Sequence, residues 1–390
     1  MKIDSVDFFY LAMPVVTEAA DGSQDALVVR VTSGAHQGWG ECEAAPLPSI
    51  AAFVAPMSHG ACRPVSASVL GERLEGPEDI ARMSANVGYN SMDLLQAAHT
   101  WSGVEMAMWD LLGRRRGVPV HQLLGHAKAC PKLPYASVLF GAEPAETLRR
   151  AAQIREAGFP AAKFGWAPFG ESLANDILHI DAAREGIGPE GILLIDAGQI
   201  FGEDVEAAAL RLNAMERNRV TFFEEPFHGS AYDTYRALGE RTRTVKTAGG
   251  EAAHNRFMAE HLMKYGRVGF IQIDCGRIGG LGPAKQVADI AARTGVTYVN
   301  HTFTSNLALS ASLQPYAGLA DHRICEYPTN LQPLAQDLTL TRIAPNANGE
   351  IILPDAPGLG VEINPEALAR YRVDVEIRVN GGTLFRTPRV

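Results

Sequence analysis

The sequence predicts an eight-stranded β/α barrel, a (β/α)8 TIM-type fold of class α/β, preceded by a smaller α+β domain, and three observations carry that prediction. The chain has 390 residues, more than the roughly 250 that a barrel alone takes. Its first part reads as strands followed by helices. Beyond Pro134, short apolar runs alternate with amphipathic stretches roughly every 25 to 30 residues.

In the first part, residues 2–10 and 25–32 are rich in β-branched and aromatic side chains, and a glycine-bounded piece follows at 38–41. From 96 to 116, Val104, Met106, Ala107, Met108, Leu111 and Leu112 recur at helical spacing, and Gly117 and Pro119 end the helix. Strands first and helices second describe an α+β unit at residues 1–125. The apolar runs that follow begin near Leu133, Ala161, Ile192, Val220, Thr244, Gly269, Thr297 and His322, with helices between them at 145–157, 204–217 and 283–292. Alternation of this kind implies parallel strands, and eight units can close into a barrel, here residues 126–365. A doubly wound open sheet is the alternative, but it would carry a glycine-rich phosphate loop after its first strand, and none follows Leu133. Residues 366–390 are expected to return to the first domain, because 371–379 alternates like another strand.

Hydrophobic residues make up 46% and charged residues 20%, ample for a large core. The net charge of -9 speaks against nucleic acid, and the run Arg114, Arg115, Arg116 is too short for a phosphate-binding face; it reads as a solvated helix end. Five scattered cysteines without a CxxC pair fit a reduced compartment, so the cytoplasm is expected. Asp4 and Asp7 interrupt any signal-like start, and no apolar stretch approaches the roughly 18 residues of a membrane span.

Chemistry is signalled by where ionisable residues fall. Lys163 ends the second run, Asp196 the third and Glu224 the fourth; Glu251 follows the fifth, and Asp274, His301 and Glu326 end the last three. In β/α barrels those ends ring one pocket. Asp196, Glu224 and Glu251 are separated by 28 and 27 residues, one barrel unit each, which sets three carboxylates side by side. Such a cluster repels itself unless a cation joins it, and all-oxygen ligands favour a hard ion such as Mg²⁺. Carboxylates paired with Arg or Lys across the barrel mouth are the alternative. Asp274 and His301 lie on neighbouring strands, so the carboxylate can fix the imidazole tautomer and raise its basicity, as a general base requires. His228, His254 and His322 are read as structural. Lys163 can bring positive charge to a substrate carboxylate, or act as acid or base if neighbouring cations lower its pKa.

At this point the chain resembles the enolase superfamily, and more closely its mandelate racemase branch. The fragments that carry the resemblance are GWGECEA (38–44), SGVEMAMWDLLGRRRGVPVHQLLG (102–125), GFPAAKF (158–164), LLIDAG (193–198), FFEEP (222–226), AGGE (248–251), IQIDCGRIGGL (271–281), VNH (299–301), ICEYP (324–328) and PGLGVEI (357–363). The resemblance implies an N-terminal capping domain whose loops close over the barrel mouth and select the substrate. Those loops are expected at residues 16–24 and 43–49, which begin at Val16 and Glu43 and end at Gln24 and Ser49. It further implies Asp196, Glu224 and Glu251 as Mg²⁺ ligands, with Glu224 rather than Glu225 matching the ligand, Asp274 and His301 as a dyad, and Glu326 as an acid that hydrogen-bonds the developing enediolate. The shared step is removal of a proton α to a carboxylate. A small-molecule carboxylate partner and a homo-oligomer are implied as well.

Two departures from the family pattern bear on the reaction. Lys-x-Lys at the end of the second strand is here Lys163, Phe164, Gly165, and Asp-x-Asn at the third is Asp196, Ala197, Gly198. The first removes the usual base opposite His301, which turns the expectation from racemisation, epimerisation and lysine-based cycloisomerisation towards dehydration of an acid sugar to a 2-keto-3-deoxy acid. A racemase, epimerase or cycloisomerase using Lys163, and a non-catalytic protein that binds metal and acid, are the competing readings. A hydrolase barrel would offer several His ligands where this chain offers carboxylates.

Overall fold

The computed structural model describes residues 1–389 apart from 44 and 167. Three antiparallel strands, β1 (Ser5–Ala12), β2 (Asp25–Ser33) and β3 (His36–Cys42), form the cap sheet in the order β1-β2-β3. Helices α1 (Pro46–Val54), α2 (Pro77–Asn90) and α3 (Ala97–Arg116) follow. The barrel strands are β4 (Leu133–Leu139), β5 (Ala161–Gly165), β6 (Ile192–Asp196), β7 (Val220–Glu224), β8 (Lys246–Gly249), β9 (Phe270–Asp274), β10 (Thr297–His301) and β11 (Ile324–Pro328). All eight apolar runs therefore become strands, and they pair in parallel in the order β10-β9-β8-β7-β6-β5-β4-β11.

The two ends of that order meet through side chains. Asn300 on β10 accepts from the backbone N–H of Glu326 on β11 at 3.0 Å and donates to its carbonyl at 3.3 Å, while Tyr316 Oη donates to Asn300 Oδ1 at 2.9 Å. One amide side chain thus satisfies backbone groups that a ladder would otherwise satisfy. His322 is structural in the same region, its Nδ1 accepting from Tyr298 N at 2.7 Å.

Side chains alternate across each strand, so residues of one parity fill the barrel. Tyr135, Ala161, Leu194, Phe222, Ala248 and Val299 form a separate buried cluster there. Each large member contributes roughly 1.5–3 kcal/mol by leaving water. This plug closes the barrel beneath the polar ends of the strands, so a ligand at the mouth meets a dry floor.

Helix α3 is buried along most of its length because the cap sheet lies on one side and the barrel on the other. Two of its acids reach the barrel. Glu105 accepts from the backbone N–H groups of Leu281 (2.7 Å) and Gly282 (2.9 Å), at the start of the barrel helix Leu281–Thr294. Asp110 accepts from Leu359 N at 2.7 Å and from Trp39 N at 2.9 Å. Burial raises the Glu105 pKa from 4.5 to about 7 against its hydrogen bonds to Gly282, Trp109 and Leu281. A raised carboxylate pKa gives stability that is fully present below pH 4.5 and lost as pH rises through 7. Denaturant melts at pH 5 and pH 7 are therefore expected to show Glu105→Gln gaining on the parent by about 2 kcal/mol as pH rises between them. A parent that instead gains on the variant would mean that the three donors outweigh burial.

Local differences from the sequence reading have simple causes. The expected helix over 204–217 is two pieces, Val205–Ala209 and Leu212–Arg217. In the tail, Tyr371 ends a helix (Pro365–Tyr371), and only β12 (Glu376–Val379) is extended, folding back on β13 (Gly382–Arg386) as a hairpin. The turn that forms it, Asn380-Gly381, has positive φ at both residues, as such a hairpin turn requires. Just before the hairpin, Val373 N donates to Tyr10 O at 2.8 Å, which ties the tail to β1.

Candidate active site

The polar strand ends converge. In the barrel register Gly165 faces Asp196 and Asp196 faces Glu224, while Asp274 faces His301. Lys163, two residues before Gly165 and so on the same face of β5, extends into the barrel. Its Nζ lies 2.9 Å from Glu224 Oε2, 2.8 Å from Glu326 Oε1 and 3.5 Å from Asp196 Oδ2. Burial lowers the Lys163 pKa, but the carboxylates of Glu224 and Glu326 outweigh it and hold it well above 10.5. Carboxylates, not the cations that would depress it, are what surrounds it, and it stands as a buried cation among them.

His301 shares a hydrogen bond between Nδ1 and Asp274 Oδ2 at 2.7 Å, and its Nε2 faces Glu251 Oε2 at 3.1 Å. Asp274 Oδ1 accepts from Gly276 N at 2.6 Å, so the carboxylate is itself oriented. Burial lowers the His301 pKa, yet Glu251, Glu326 and the Asp274 hydrogen bond together raise it from 6.5 to about 10. Burial likewise raises the Glu251 pKa, while His301, Arg277 and Lys163 bring it down to about 2. Glu326 Oε2 accepts from Thr302 N at 2.9 Å.

The adjacent pair at the end of β7 separates cleanly. Glu224 is fully buried and points at Lys163, whereas Glu225, with a positive φ of 35°, accepts from Gln199 Nε2 at 2.7 Å.

Donor chemistry decides whether these residues suit a divalent cation. Asp21, Glu43, Asp196, Glu224, Glu225, Glu251, Asp274 and Glu326 crowd the mouth against Lys163, Arg277 and His301, eight acids to three basic groups. Glu224 Oε2 and Glu326 Oε1 are buried with only the Lys163 ammonium beside them, short of hydrogen-bond geometry. Burial, then mutual repulsion, pushes the Asp196 and Glu224 pKa values up. An all-oxygen, over-acidic set of this kind fits a hard cation. Among the described residues no three His, Cys, Asp or Glu side chains already gather around one point. The reason is visible in the contacts: Lys163 stands between Asp196 and Glu224, and Glu251 turns to Arg277 and His301.

The mouth encloses about 310 Å³ lined by Lys163, Gly165, Trp166, Asp196, Glu251, Arg277, His301 and Glu326 from the barrel, and by Ala20, Asp21, Gly22 and Glu43 from the cap. The first expected capping loop therefore reaches the cavity, held in shape by Gln24, whose Oε1 accepts from Thr17 N at 2.7 Å and whose Nε2 donates to Ala19 O at 3.2 Å. The second reaches it through Glu43; residue 44 lies outside the described residues.

Comparison with known proteins decides the family. Residues 146–367 match the enolase C-terminal domain-like family, and residues 9–125 match the N-terminal domain of mandelate racemase / muconate lactonizing enzyme. The chain belongs to the enolase superfamily. Its place there is the mandelate racemase branch. A crystal structure from Rhodobacter sphaeroides, described as a predicted mandelate racemase, is 63% identical over 100% of both chains with a TM-score of 0.96. The D-galactarolactone cycloisomerase of Agrobacterium fabrum is 28% identical over 86% of this chain and 88% of that protein. The D-galactonate dehydratase of Variovorax paradoxus is 26% identical over 85% and 86%. Enolase superfamily proteins generally bind Mg²⁺.

Several residues of the mouth escape the sequence reading, Arg277, Trp166 and Phe303 among them. Arg277 bridges Glu43 of the cap (3.2 Å) and Glu251 of the barrel (3.1 Å). A lone cation three residues past Asp274, in a loop otherwise facing acids, is its only signal. Trp166 directly follows β5 and lines the cavity, and nothing in the periodicity marks it.

Proposed function

We propose that this superfamily member removes the proton α to the carboxylate of an acid sugar and expels the oxygen at the β carbon, giving a 2-keto-3-deoxy acid. The observation that carries the reading is that the mouth holds one imidazole base, His301 oriented by Asp274, while the place where a second lysine would act is Gly165, too close to Asp196 to bear a side chain (2.9 Å from an added Cβ to Asp196 Cβ). Elimination can run with a base on one face; racemisation needs one on each.

Asp196, Glu224 and Glu251 would hold Mg²⁺, which when bound supplies positive charge at the substrate carboxylate oxygens. Glu251 is the carboxylate that does most to hold His301 protonated, so once Glu251 serves the cation the neutral imidazole Nε2 can take the α-proton, and Asp274 stabilises the imidazolium that results. Lys163 contributes fixed positive charge where negative charge develops, and Glu326 stands beside it on β11. The imidazolium then returns its proton to the departing oxygen, and the enol left behind ketonises, losing its hydroxyl proton and taking one from water at the β carbon.

If that oxygen is a hydroxyl the enzyme is a dehydratase, the preferred reading. If it is a ring oxygen, the product is an isomer of the substrate; the cycloisomerase relative, aligned over most of both chains, favours this second reading. Semicarbazide trapping of the keto acid and its mass separate the two: one water lighter than the substrate for dehydration, unchanged for ring opening. No keto acid from any acid sugar tried with Mg²⁺ would sink both. Within the β7 pair, Glu224→Gln should lower kcat about a hundredfold or more, and Glu225→Gln less than about tenfold. Equal losses would remove the assignment of Glu224 as the ligand.

A further inference from the structure

Trp166 has a position that structural packing alone does not explain. It is 44% exposed, whereas Trp101 and Trp109 are 3% and 5% exposed in the core. Its φ is 66°, in the left-handed region that bulky residues seldom adopt and that tends to persist where a site needs it. The indole rests on Gly198, itself at φ 54°, where an added Cβ would lie 2.9 Å from Cδ2 and 3.0 Å from Cε3 of the ring. A side chain at 198 would evict the indole. Beside it, Gly165 makes the same kind of room for Asp196. The two positions where this chain departs from its family pattern are thus explained together: their missing side chains admit one carboxylate and one aromatic wall.

The wall has a defined place relative to the base. Going round an eight-stranded barrel, β6 is four strands from β10 in either direction. Trp166 leaves the end of β5 and packs on the loop after β6, so it stands across the mouth from His301, and both line the same cavity. In a pocket that also carries Val138, Leu139 and Phe303 among its charged groups, it presents a half-exposed aromatic plate.

We propose that Trp166 is the stacking platform for the ring of a cyclic acid sugar, a lactone or anhydro-sugar acid, holding one face of that ring against the indole and turning the other towards His301. This rests on the α-proton abstraction and β-elimination reading and narrows its substrate to ring forms, which selects the ring-opening branch of that reading over dehydration. A sugar ring offers a rigid face of C–H groups that covers the indole and leaves water with it. An open chain offers no such face and must lose internal freedom to make one. The indole brings no proton-transferring group to its side of the ring, so chemistry stays on the His301 face.

The test uses the full-length His301→Asn protein with Mg²⁺, in which turnover is blocked, and two probes of equal carbon number, an aldarate γ-lactone that retains one carboxylate and the open-chain aldarate. Calorimetry should give the lactone about tenfold tighter binding, and the lactone should quench tryptophan fluorescence. Adding Trp166→Leu should erase the preference and Trp166→Phe should keep most of it. Equal affinities in the Trp166 protein, or affinities unmoved by Trp166→Leu, would overturn the platform. The functional reading is tested separately by α-proton exchange in D₂O with the parent enzyme. Exchange without a ring preference sinks the platform alone; a ring preference without exchange sinks the functional reading and leaves the platform standing.

Discussion

Replacing His301 with asparagine is expected to abolish both turnover and exchange of the substrate α-proton with D₂O, a loss of at least about a thousandfold. Asparagine preserves a polar group near Asp274 and roughly the volume of the ring, but it has no basic nitrogen. The assignment follows from position: Nδ1 is committed to Asp274 at 2.7 Å, which leaves Nε2 as the one imidazole nitrogen facing the cavity. Lys163→Met gives the contrasting result. Its Nζ is shared among Glu224, Glu326 and Asp196, so the methionine variant should bind substrate weakly and turn over slowly while still exchanging the α-proton through His301. Monitoring the α-proton by NMR distinguishes the two. Should the His301→Asn protein exchange that proton at an appreciable rate, Lys163 is a second base, and an epimerase or lysine-based cycloisomerase moves ahead of elimination.

The features legible in the sequence are those with a period. Strand ends repeat once per β/α unit, and parity within a strand sends alternate residues to one face, so the positions of Lys163, Asp196, Glu224, Asp274, His301 and Glu326 at the barrel mouth follow from the order of residues alone. What each charged group touches has no period. Lys163 is open to several roles in the sequence because its neighbours come from three other strands, β6, β7 and β11. Arg277 and Trp166 sit in loops, where conformation follows from contacts distant in sequence: a cap carboxylate 234 residues away for Arg277, and the absent side chain of Gly198 for Trp166. The seam between β10 and β11 is hidden for a similar reason. Asn300 reads as an ordinary strand residue, yet its side chain replaces a backbone ladder. Gly165 and Gly198 stand out in the sequence as departures, but only the register of β5 on β6 and the packing of the indole show that each is required by a neighbour.

Stripping divalent metal with a chelator is expected to abolish activity and lower thermal stability together, and Mg²⁺ should restore both better than Zn²⁺. The physical case is the charge imbalance at the mouth. Eight carboxylates against three basic groups, most of them buried, leave net negative charge in a poorly solvated place, and burial with repulsion from neighbours already pushes the Asp196 and Glu224 pKa values up. A cation that binds the folded chain and not the unfolded one stabilises it by about 2.7 kcal/mol at a hundred times its Kd. Carboxylate oxygens without nitrogen or sulfur prefer the harder ion. Differential scanning calorimetry of chelated protein titrated with each ion reads the stability arm without any substrate, and keto-acid assays read the other. Glu224→Gln should lose most of the Mg²⁺-dependent rise in Tm, because it removes one of the three carboxylate charges that would hold the ion. Chelated protein with full activity would remove Mg²⁺ from the mechanism. Full activity together with an unchanged Tm on adding Mg²⁺ would return Asp196, Glu224 and Glu251 to the simpler role of partners for Lys163, Arg277 and His301 across the barrel mouth.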